Sequence, residues 1–211
     1  MEDATTLVMV RQTFADRQSE IPVDVVIENL DGRAAPDPLT PSRVDEGLKT
    51  AAMFVAGAPL LFARWAKGFK EHTNRLPQFD PAVSNAAGGD AGIIYYHSHW
   101  KLEDDEMLVI EVKPPDCDTW NFQLNNYWME SLDYRYFNIC INKAGATYEA
   151  DGSVRVIVSH RDPGHPNWLE TAGHREGTMC WRWYRLKEGV KPVEPVCQVV
   201  KVQEWKNSEQ Q

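Results

Sequence analysis

The sequence lacks the features of several protein classes. Its 22 basic residues are scattered among 211 and the net charge is −9, which argues against binding to nucleic acid. The first ten residues include Glu2 and Asp3 and have no basic start followed by an apolar stretch, so no export signal is predicted. The apolar run over residues 51–63 is interrupted by Gly57 and Pro59 and is too short to span a bilayer. We therefore expect a cytoplasmic protein with no membrane partner.

Cysteine is scarce, and no two cysteines have the CxxC spacing of a zinc site or redox motif. Without an export signal, the four cysteines are expected to be reduced. Cys180 lies within a predicted strand, a poor position for a nucleophile. No GxSxG motif occurs, and no glycine-rich nucleotide fingerprint follows a predicted strand. The sequence thus predicts no organic cofactor.

The N-terminal part combines helical patterns with one alternating pattern. We expect a short helix over residues 5–17, a strand over residues 20–30, and loops over 31–42 and 81–92. Between the loops, two amphipathic helices are predicted, the first capped by Thr40 or Ser42 and ended by Gly57, the second starting at Pro59. Their apolar stripes are expected to face the core.

From Ile93 onward the pattern changes to short strands separated by turn signals. Seven strands are predicted: 93–96, 107–112, 119–124, 136–142, 154–160, 178–185 and 196–202. Because no helical pattern intervenes, an antiparallel β-sandwich or jelly roll is favoured over βαβ units. The fold class is therefore α+β, with a helical part over 1–91 and a β-sandwich over 92–205, packed as one unit.

A series of motifs in the second part resembles a known family. The motifs are Pro114-Pro115, residues 120–125 (WNFQLN), residues 128–134 (WMESLDY), Asp151-Gly152-Ser153, residues 160–164 (HRDPG), residues 167–177 (NWLETAGHREG) and Arg182. Together they resemble the domain of unknown function 1214 family over roughly residues 92–202. The resemblance implies a jelly-roll-like β-sandwich, often preceded by an α-rich or second β module. It implies no settled catalytic residues.

The connection over residues 161–177 is unusually long for a hairpin loop and concentrates polar groups. We expect His160, Asp162, His174 and Arg175 to line the mouth of a pocket, with histidine as the acid/base and arginine holding an oxyanion. The alternative is a structural loop, pinned by Asn167 and Trp168, in which the carboxylate of Asp162 stabilises the turn at Pro163-Gly164.

Two further groups are candidate sites. Glu130 and Asp133 could divide acid and base roles, although Asp133 and Arg135 could instead form a surface ion pair. On the strand over 119–124, Asn121 and Gln123 share a face that could orient an oxygenated ligand, or could simply be half exposed. The candidate substrate-binding residues are completed by three side chains: Tyr134, Trp168 and Arg182.

A metal site is the weakest candidate. His97 and His99 project from one face of a strand, and Glu103 follows, a pattern that resembles the first metal motif of cupins. No convincing second histidine motif follows, and Glu103 also fits a solvated acidic turn. The primary expectation is therefore that no metal is bound.

Three functions remain open from the sequence. The first is an enzyme of lyase, isomerase or hydrolase type that performs acid/base chemistry on a small apolar or aromatic oxygenated substrate. The second is a non-catalytic ligand-binding or assembly module, which could form a homo-oligomer through its tryptophans. The third is a cupin-like metal-dependent enzyme. A pocket with converging histidines and carboxylates would favour the first, and a flat aromatic patch the second.

Overall fold

The computed structural model of the protein describes residues 8–14, 16–28, 30 and 38–208. Its helical elements are α1 (Pro41–Phe69), a 3-10 turn (Lys70–His72), α2 (Pro81–Ala86) and α3 (Val202–Ser208). Its strands are β1 (Ile93–Lys101), β2 (Glu106–Val112), β3 (Cys117–Asn125), β4 (Cys140–Asn142), β5 (Val154–Ser159), β6 (Trp168–Glu170), β7 (Glu176–Leu186) and β8 (Val196–Lys201). The predicted α+β class is confirmed.

The eight strands form two four-stranded sheets. Sheet A has the order β1-β7-β3-β4, and sheet B has the order β6-β5-β2-β8. All neighbouring strands are antiparallel except β5 and β6. Each of the seven predicted strands is present, although β1 runs on to Lys101 and the predicted strand 136–142 shrinks to β4. An eighth strand, β6, was not predicted; it is a three-residue strand within the long polar connection.

The two sheets share one hydrophobic core. The inner face of sheet A contributes Trp120, Trp181 and Trp183, all fully buried, and the ring centroids of Trp120 and Trp181 lie 4.9 Å apart in a stacked arrangement. Sheet B contributes aliphatic side chains such as Ile110 and Val156 to the same cluster. Aromatic rings that each bury a large apolar area supply much of the driving force for this packing.

The N-terminal predictions are partly wrong. Residues 8–14 and 16–17 form no helix, and positions 5–7 and 15 lie outside the described residues. Residues 20–28 and 30 belong to no strand. A strand is stable only when a neighbouring strand receives its backbone hydrogen bonds. Here the segment is held by side-chain contacts instead, including two hydrogen bonds between the amide of Gln12 and the backbone of Val23.

The two predicted helices are one continuous helix, α1. Thr40 caps it as expected, because its hydroxyl accepts a hydrogen bond from the backbone N–H of Arg43 at 3.3 Å. Pro59 lies inside α1 and does not end it. The predicted core-facing stripes are also wrong: only Ala66 and Phe69 are buried, both near the C-terminal end. Trp65 is half-buried against Phe79, whereas residues 41–57 of α1 are all exposed among the described residues.

Two smaller features also differ from expectation. The segment Pro81–Ala86, predicted as loop, is α2; the Asp80 carboxylate caps it by accepting from the N–H of Ala82 at 2.8 Å. The stretch Pro41–His72 is long and apolar enough, by length and composition alone, to cross a membrane. The apolar run over residues 51–63 is thus part of a longer helix. Length and composition alone are weak evidence that this helix spans a membrane.

The close packing of sheet A generates a prediction at Gly177. A methyl group there would overlap the backbone oxygen of Asn125 and the indole of Trp100. We expect Gly177→Ala to lower the free energy of unfolding by roughly 1–3 kcal/mol through overpacking. Gly47→Ala is the control, because Gly47 lies in the open on α1 and alanine favours helix. Urea unfolding of both variants measures the difference, and equal stability of the two would contradict this packing.

Candidate functional site

The outer face of sheet A is lined by polar side chains in register across its strands. Arg182 of β7 lies opposite Tyr95 of β1 and Asn121 of β3, and Asn121 lies opposite Asn142 of β4. The next row contains His97, Cys180, Gln123 and Cys140. Because side chains alternate along a strand, the register that sends the tryptophans into the core sends these groups outward. We call these two rows the polar face.

Arg182 is the cationic group of the polar face. It is only partly exposed, its Nη1 donates a hydrogen bond to the side-chain oxygen of Asn121 at 3.2 Å, and its guanidinium lies 6.0 Å from the ring centroid of Tyr95. Among the described residues, it forms no ion pair with a carboxylate. Partly buried charges are normally paired, so the guanidinium retains donors for an anion from outside the chain.

A cleft of about 510 Å³ opens over the polar face, between sheet A and the N-terminal segment. Its charged lining side chains are Arg11 and Arg17, and neither forms an ion pair with any residue that the structure describes. Five side-chain amides also line it: Gln12, Asn121, Gln123, Asn138 and Asn142. The described lining residues include no carboxylate. A neighbouring cavity of about 370 Å³ shares Arg11 with the cleft but differs in having acidic residues in its lining: Glu20, Asp90 and Asp118.

His97 lies on the polar face but does not suit acid/base chemistry near neutral pH. Its ring stacks between Phe69 and Tyr95, with centroid distances of 5.3 Å and 5.5 Å. Burial lowers the pKa of His97 to about 3, and the nearby charge of Arg182 acts in the same direction. Its Nε2 lies 3.8 Å from the sulfur of Cys180. The imidazole is therefore a neutral packing group at physiological pH.

The two cysteines of the polar face are not activated nucleophiles. Burial raises the pKa of both Cys140 and Cys180 above that of an ordinary thiol. A reactive cysteine needs the opposite shift, because the thiolate is the nucleophile.

The structure does not bring the candidate metal ligands together. The Nδ1 of His99 lies 3.0 Å from the hydroxyl of Thr73, and its Nε2 lies 3.3 Å from a carboxylate oxygen of Glu176 without hydrogen-bonding geometry. Burial lowers the pKa of His99. Glu103 follows the end of β1 in an exposed turn. Among the described residues, no three histidine, cysteine or carboxylate side chains are grouped as a metal site would require.

The four polar residues of the long connection do not gather around the cleft. His160 is bonded at both ring nitrogens, to the hydroxyl of Thr171 at 2.8 Å and the backbone oxygen of Leu102 at 3.3 Å. Asp162 is exposed and accepts from the N–H of Gly164 at 2.7 Å, which is the turn-stabilising role considered in the sequence.

His174 and Arg175 are also exposed. The Nδ1 of His174 bonds to the backbone oxygen of Ala172 at 3.1 Å, and Arg175 forms a 2.6 Å surface ion pair with Asp104. Such pairs contribute little to stability. The sheltered hollow expected between these side chains is therefore not observed.

The physical reason lies in how the connection is anchored. Trp168–Glu170 pairs with β5 as the edge strand β6, which commits this backbone to sheet B. The side chain of Asn167 makes three hydrogen bonds of 2.7–2.8 Å, to the backbone of Thr147 and the backbone oxygen of Arg155. The indole N–H of Trp168, a candidate substrate contact, lies 3.4 Å from the backbone oxygen of Ser159. These contacts match the alternative of a structural loop.

The turn after β3 is occupied by local contacts. The carboxylate of Glu130 accepts from the side chain of Asn126 at 2.7 Å, which closes the turn. Asp133 and Arg135 form a two-pronged ion pair with both distances at 2.9 Å. Tyr134 is 72% exposed. The contacts fit the alternative of a surface ion pair, and this turn adds no side chain to the cleft.

Of the candidate substrate-binding residues, the structure brings Asn121, Gln123 and Arg182 together on the polar face. Asn142 and the two N-terminal arginines, Arg11 and Arg17, line the cleft but were not predicted as site residues. Asn142 could have been found, because the alternation that places Ile141 against the core points its neighbour outward. Arg11 and Arg17 could not, since only tertiary contacts bring that segment over sheet A.

Comparison with known proteins adds one close structural match. An uncharacterised protein of Burkholderia cenocepacia, solved by crystallography, is 52% identical, with a TM-score of 0.87 over 92% of this chain. The VPA0106 protein of Vibrio parahaemolyticus is 15% identical over 51% of this chain and 31% of its own, with a TM-score of 0.41. This chain spans only 53% of the Burkholderia protein. No protein family in the comparison matches the chain, and no curated protein matches it.

The packing of His97 predicts a pH dependence of stability. Above pH 6.5 the imidazole is neutral in both states; below it the unfolded chain gains a proton that the folded chain excludes until about pH 3. The free energy of unfolding should therefore fall as the pH drops, by about 2 kcal/mol from this residue between pH 7.5 and pH 5.

His97→Phe keeps the aromatic stack and should remove that part of the decline. His174→Gln, at an exposed position, is the control and should retain the full decline. Urea unfolding at the two pH values measures both. An unchanged pH dependence in His97→Phe would show that the imidazole is accessible to protons in the folded state.

Proposed function

We propose that the protein is a ligand-binding module that holds a small, anionic, oxygen-rich molecule in the cleft over the polar face of sheet A. The observation that carries the proposal is the composition of the cleft. Two arginines and five amides line it without a described carboxylate, in a chain whose net charge is −9. A random acidic surface would supply carboxylates beside the arginines, as the neighbouring cavity does.

The chemistry of these groups suits an anion with several oxygen atoms. A guanidinium presents N–H donors in a planar fork that matches a carboxylate or a phosphate. Arg182 does not itself line the cleft, but it donates a hydrogen bond to Asn121, which does, and Arg11 and Arg17 lie in the lining. Side-chain amides both donate and accept, so they suit hydroxyl groups on the same ligand. The volume of about 510 Å³ lies within the range of small-molecule sites.

Binding without catalysis is favoured over the acid/base enzyme. A general acid or base works best with a pKa near the operating pH, and His97 is the histidine of the polar face. With its pKa near 3, His97 would not act as an acid at neutral pH. The raised thiol pKa values of Cys140 and Cys180 argue against covalent catalysis. The cupin-like enzyme has less support, because its candidate ligands are separated.

We further propose that the chain is related to the domain of unknown function 1214 family and that its two sheets have the jelly-roll arrangement implied by that resemblance. Three of the motif residues, Asn121, Gln123 and Arg182, lie on the polar face of sheet A. A ligand-binding role would thus give these motif positions a common purpose.

The proposal is tested by calorimetric titration with a matched pair of probes, D-glucuronate and D-glucose, which differ in one carboxylate. We expect glucuronate to bind with a Kd in the micromolar to millimolar range and glucose to bind more weakly by tenfold or more. Arg182→Gln should weaken glucuronate binding at least tenfold, because it removes the positive charge and the planar pair of N–H donors of the guanidinium. Arg75→Gln, an exposed arginine outside the cleft, should leave binding unchanged. Inorganic phosphate serves as a third probe.

Three results would contradict the proposal: equal binding of glucuronate and glucose, no binding of any anionic probe by the folded chain, or equal losses in Arg182→Gln and Arg75→Gln. Circular dichroism of each variant establishes that it is folded before titration. If turnover of a carboxylate-containing substrate were found and His97→Phe abolished it, the enzyme hypothesis would replace ours.

A further inference from the structure

The helix α1 has an apolar face that nothing in the described chain covers. At 29 residues it is about 43 Å long, and among these residues its burial is confined to Ala66 and Phe69 near one end. Along the same side of the helix, Leu48 is 66% exposed, Val55 67% and Phe62 44%. Residues at spacings of seven lie almost directly above one another on a helix, so these three form one stripe.

The uncovered stripe continues the face by which α1 already docks. Its C-terminal end carries Ala66 and Phe69, and the ring of Phe69 packs on Phe79 and His97 of the body. The opposite side carries Glu46 and Arg64 near the two ends of the helix, with apolar residues such as Met53 and Leu60 between them. Large apolar side chains that stay exposed forgo the favourable free energy of burial, so we expect a partner to cover this stripe.

The apolar surface extends from α1 onto the loop after β3. A groove of about 620 Å³ lies between them, lined on the helix side by Pro59, Phe62 and Ala63. On the loop side it is lined by Trp128, which is 56% exposed, by Met129, whose φ of 66° places it in the left-handed region, and by Glu130 at the edge of the apolar residues. A continuous apolar area of this kind on a monomer usually marks an interaction surface.

The Burkholderia cenocepacia protein supplies a candidate for the polypeptide that covers this surface. The match leaves 8% of this chain uncovered, which is fewer residues than α1 contains, so part or all of the helix is matched. The match takes up only 53% of the Burkholderia chain. That protein therefore contains nearly as much polypeptide again beside the matched region, enough for a second domain with its own apolar surface.

We propose that the apolar stripe of α1 is a docking surface for a polypeptide equivalent to the unmatched part of the Burkholderia protein. In the Burkholderia protein, the matched and unmatched parts belong to one chain. A polypeptide equivalent to the unmatched part would occupy the stripe and the adjoining groove of this protein. The surface is independent of the proposed ligand cleft, which lies over sheet A and is lined by other residues.

Two measurements test this inference. In the crystal structure of the Burkholderia protein, the residues aligned with Leu48, Val55 and Phe62 should be buried by polypeptide outside the match. In solution, the full 211-residue chain co-expressed with that polypeptide should be recovered as a 1:1 complex by size-exclusion chromatography with light scattering. Val55→Glu should weaken the complex at least tenfold by placing a charge in an apolar contact.

Met53→Glu is the matched control. Met53 is 68% exposed, nearly the same as Val55, and lies about 160° around the helix from it. It should leave the complex unchanged, and circular dichroism should show both variants folded. Four results would overturn the inference: solvent exposure of the aligned residues in the Burkholderia protein, absence of a complex, a homodimer of the chain alone that Val55→Glu disrupts, or flotation of the chain with lipid vesicles that Val55→Glu abolishes.

Discussion

The register of sheet A is the constraint on which the rest of the structure depends. Antiparallel pairing of β7 with both β1 and β3 places Trp181 and Trp183 in the same rows as Tyr96, Phe122 and Trp120. Those rows form the core between the sheets. Because a strand alternates, the same pairing obliges Cys180 and Arg182 to face outward. A shift of one residue in the register of β7 would turn the Arg182 guanidinium into the core among the indole rings. The same strand register therefore determines both the packing of the core and the position of the polar face.

This coupling explains how an acidic chain maintains a cationic cleft. The core fixes Arg182, Asn121 supports its guanidinium, and the N-terminal segment brings Arg11 across the same sheet. Several carboxylates elsewhere on the surface are held by lysine or arginine partners, as Asp118 is by Lys187 and Asp104 by Arg175. The local sign of charge in the cleft is therefore opposite to that of the whole chain, a feature relevant to ligand selection and not to the fold.

Local patterns predicted the β part well and the N-terminal part poorly, for a physical reason. Alternation identified the strands and the shared face of Asn121 and Gln123, since both depend on neighbours in sequence. The interpretation of residues 20–30 as a strand failed because strands also need a pairing partner. Similarly, the two predicted core-facing helices are one helix, α1, and among the described residues most of its apolar side chains face no core. The long connection after β5 contained titratable groups, yet β6 and Asn167 direct it along sheet B.

The central claim, that Arg182 is held ready for an anion from outside the chain, is tested most directly by NMR of the arginine side-chain Nε–H groups in the folded, ¹⁵N-labelled protein. Glucuronate should shift the Arg182 signal in a saturable way and slow its exchange with solvent, while the Arg75 signal stays in place. The claim would be contradicted if the chemical shift of the Arg182 Nε–H did not change on addition of glucuronate. It would also be contradicted if the spectrum showed a hydrogen bond between Arg182 and a carboxylate of the chain itself.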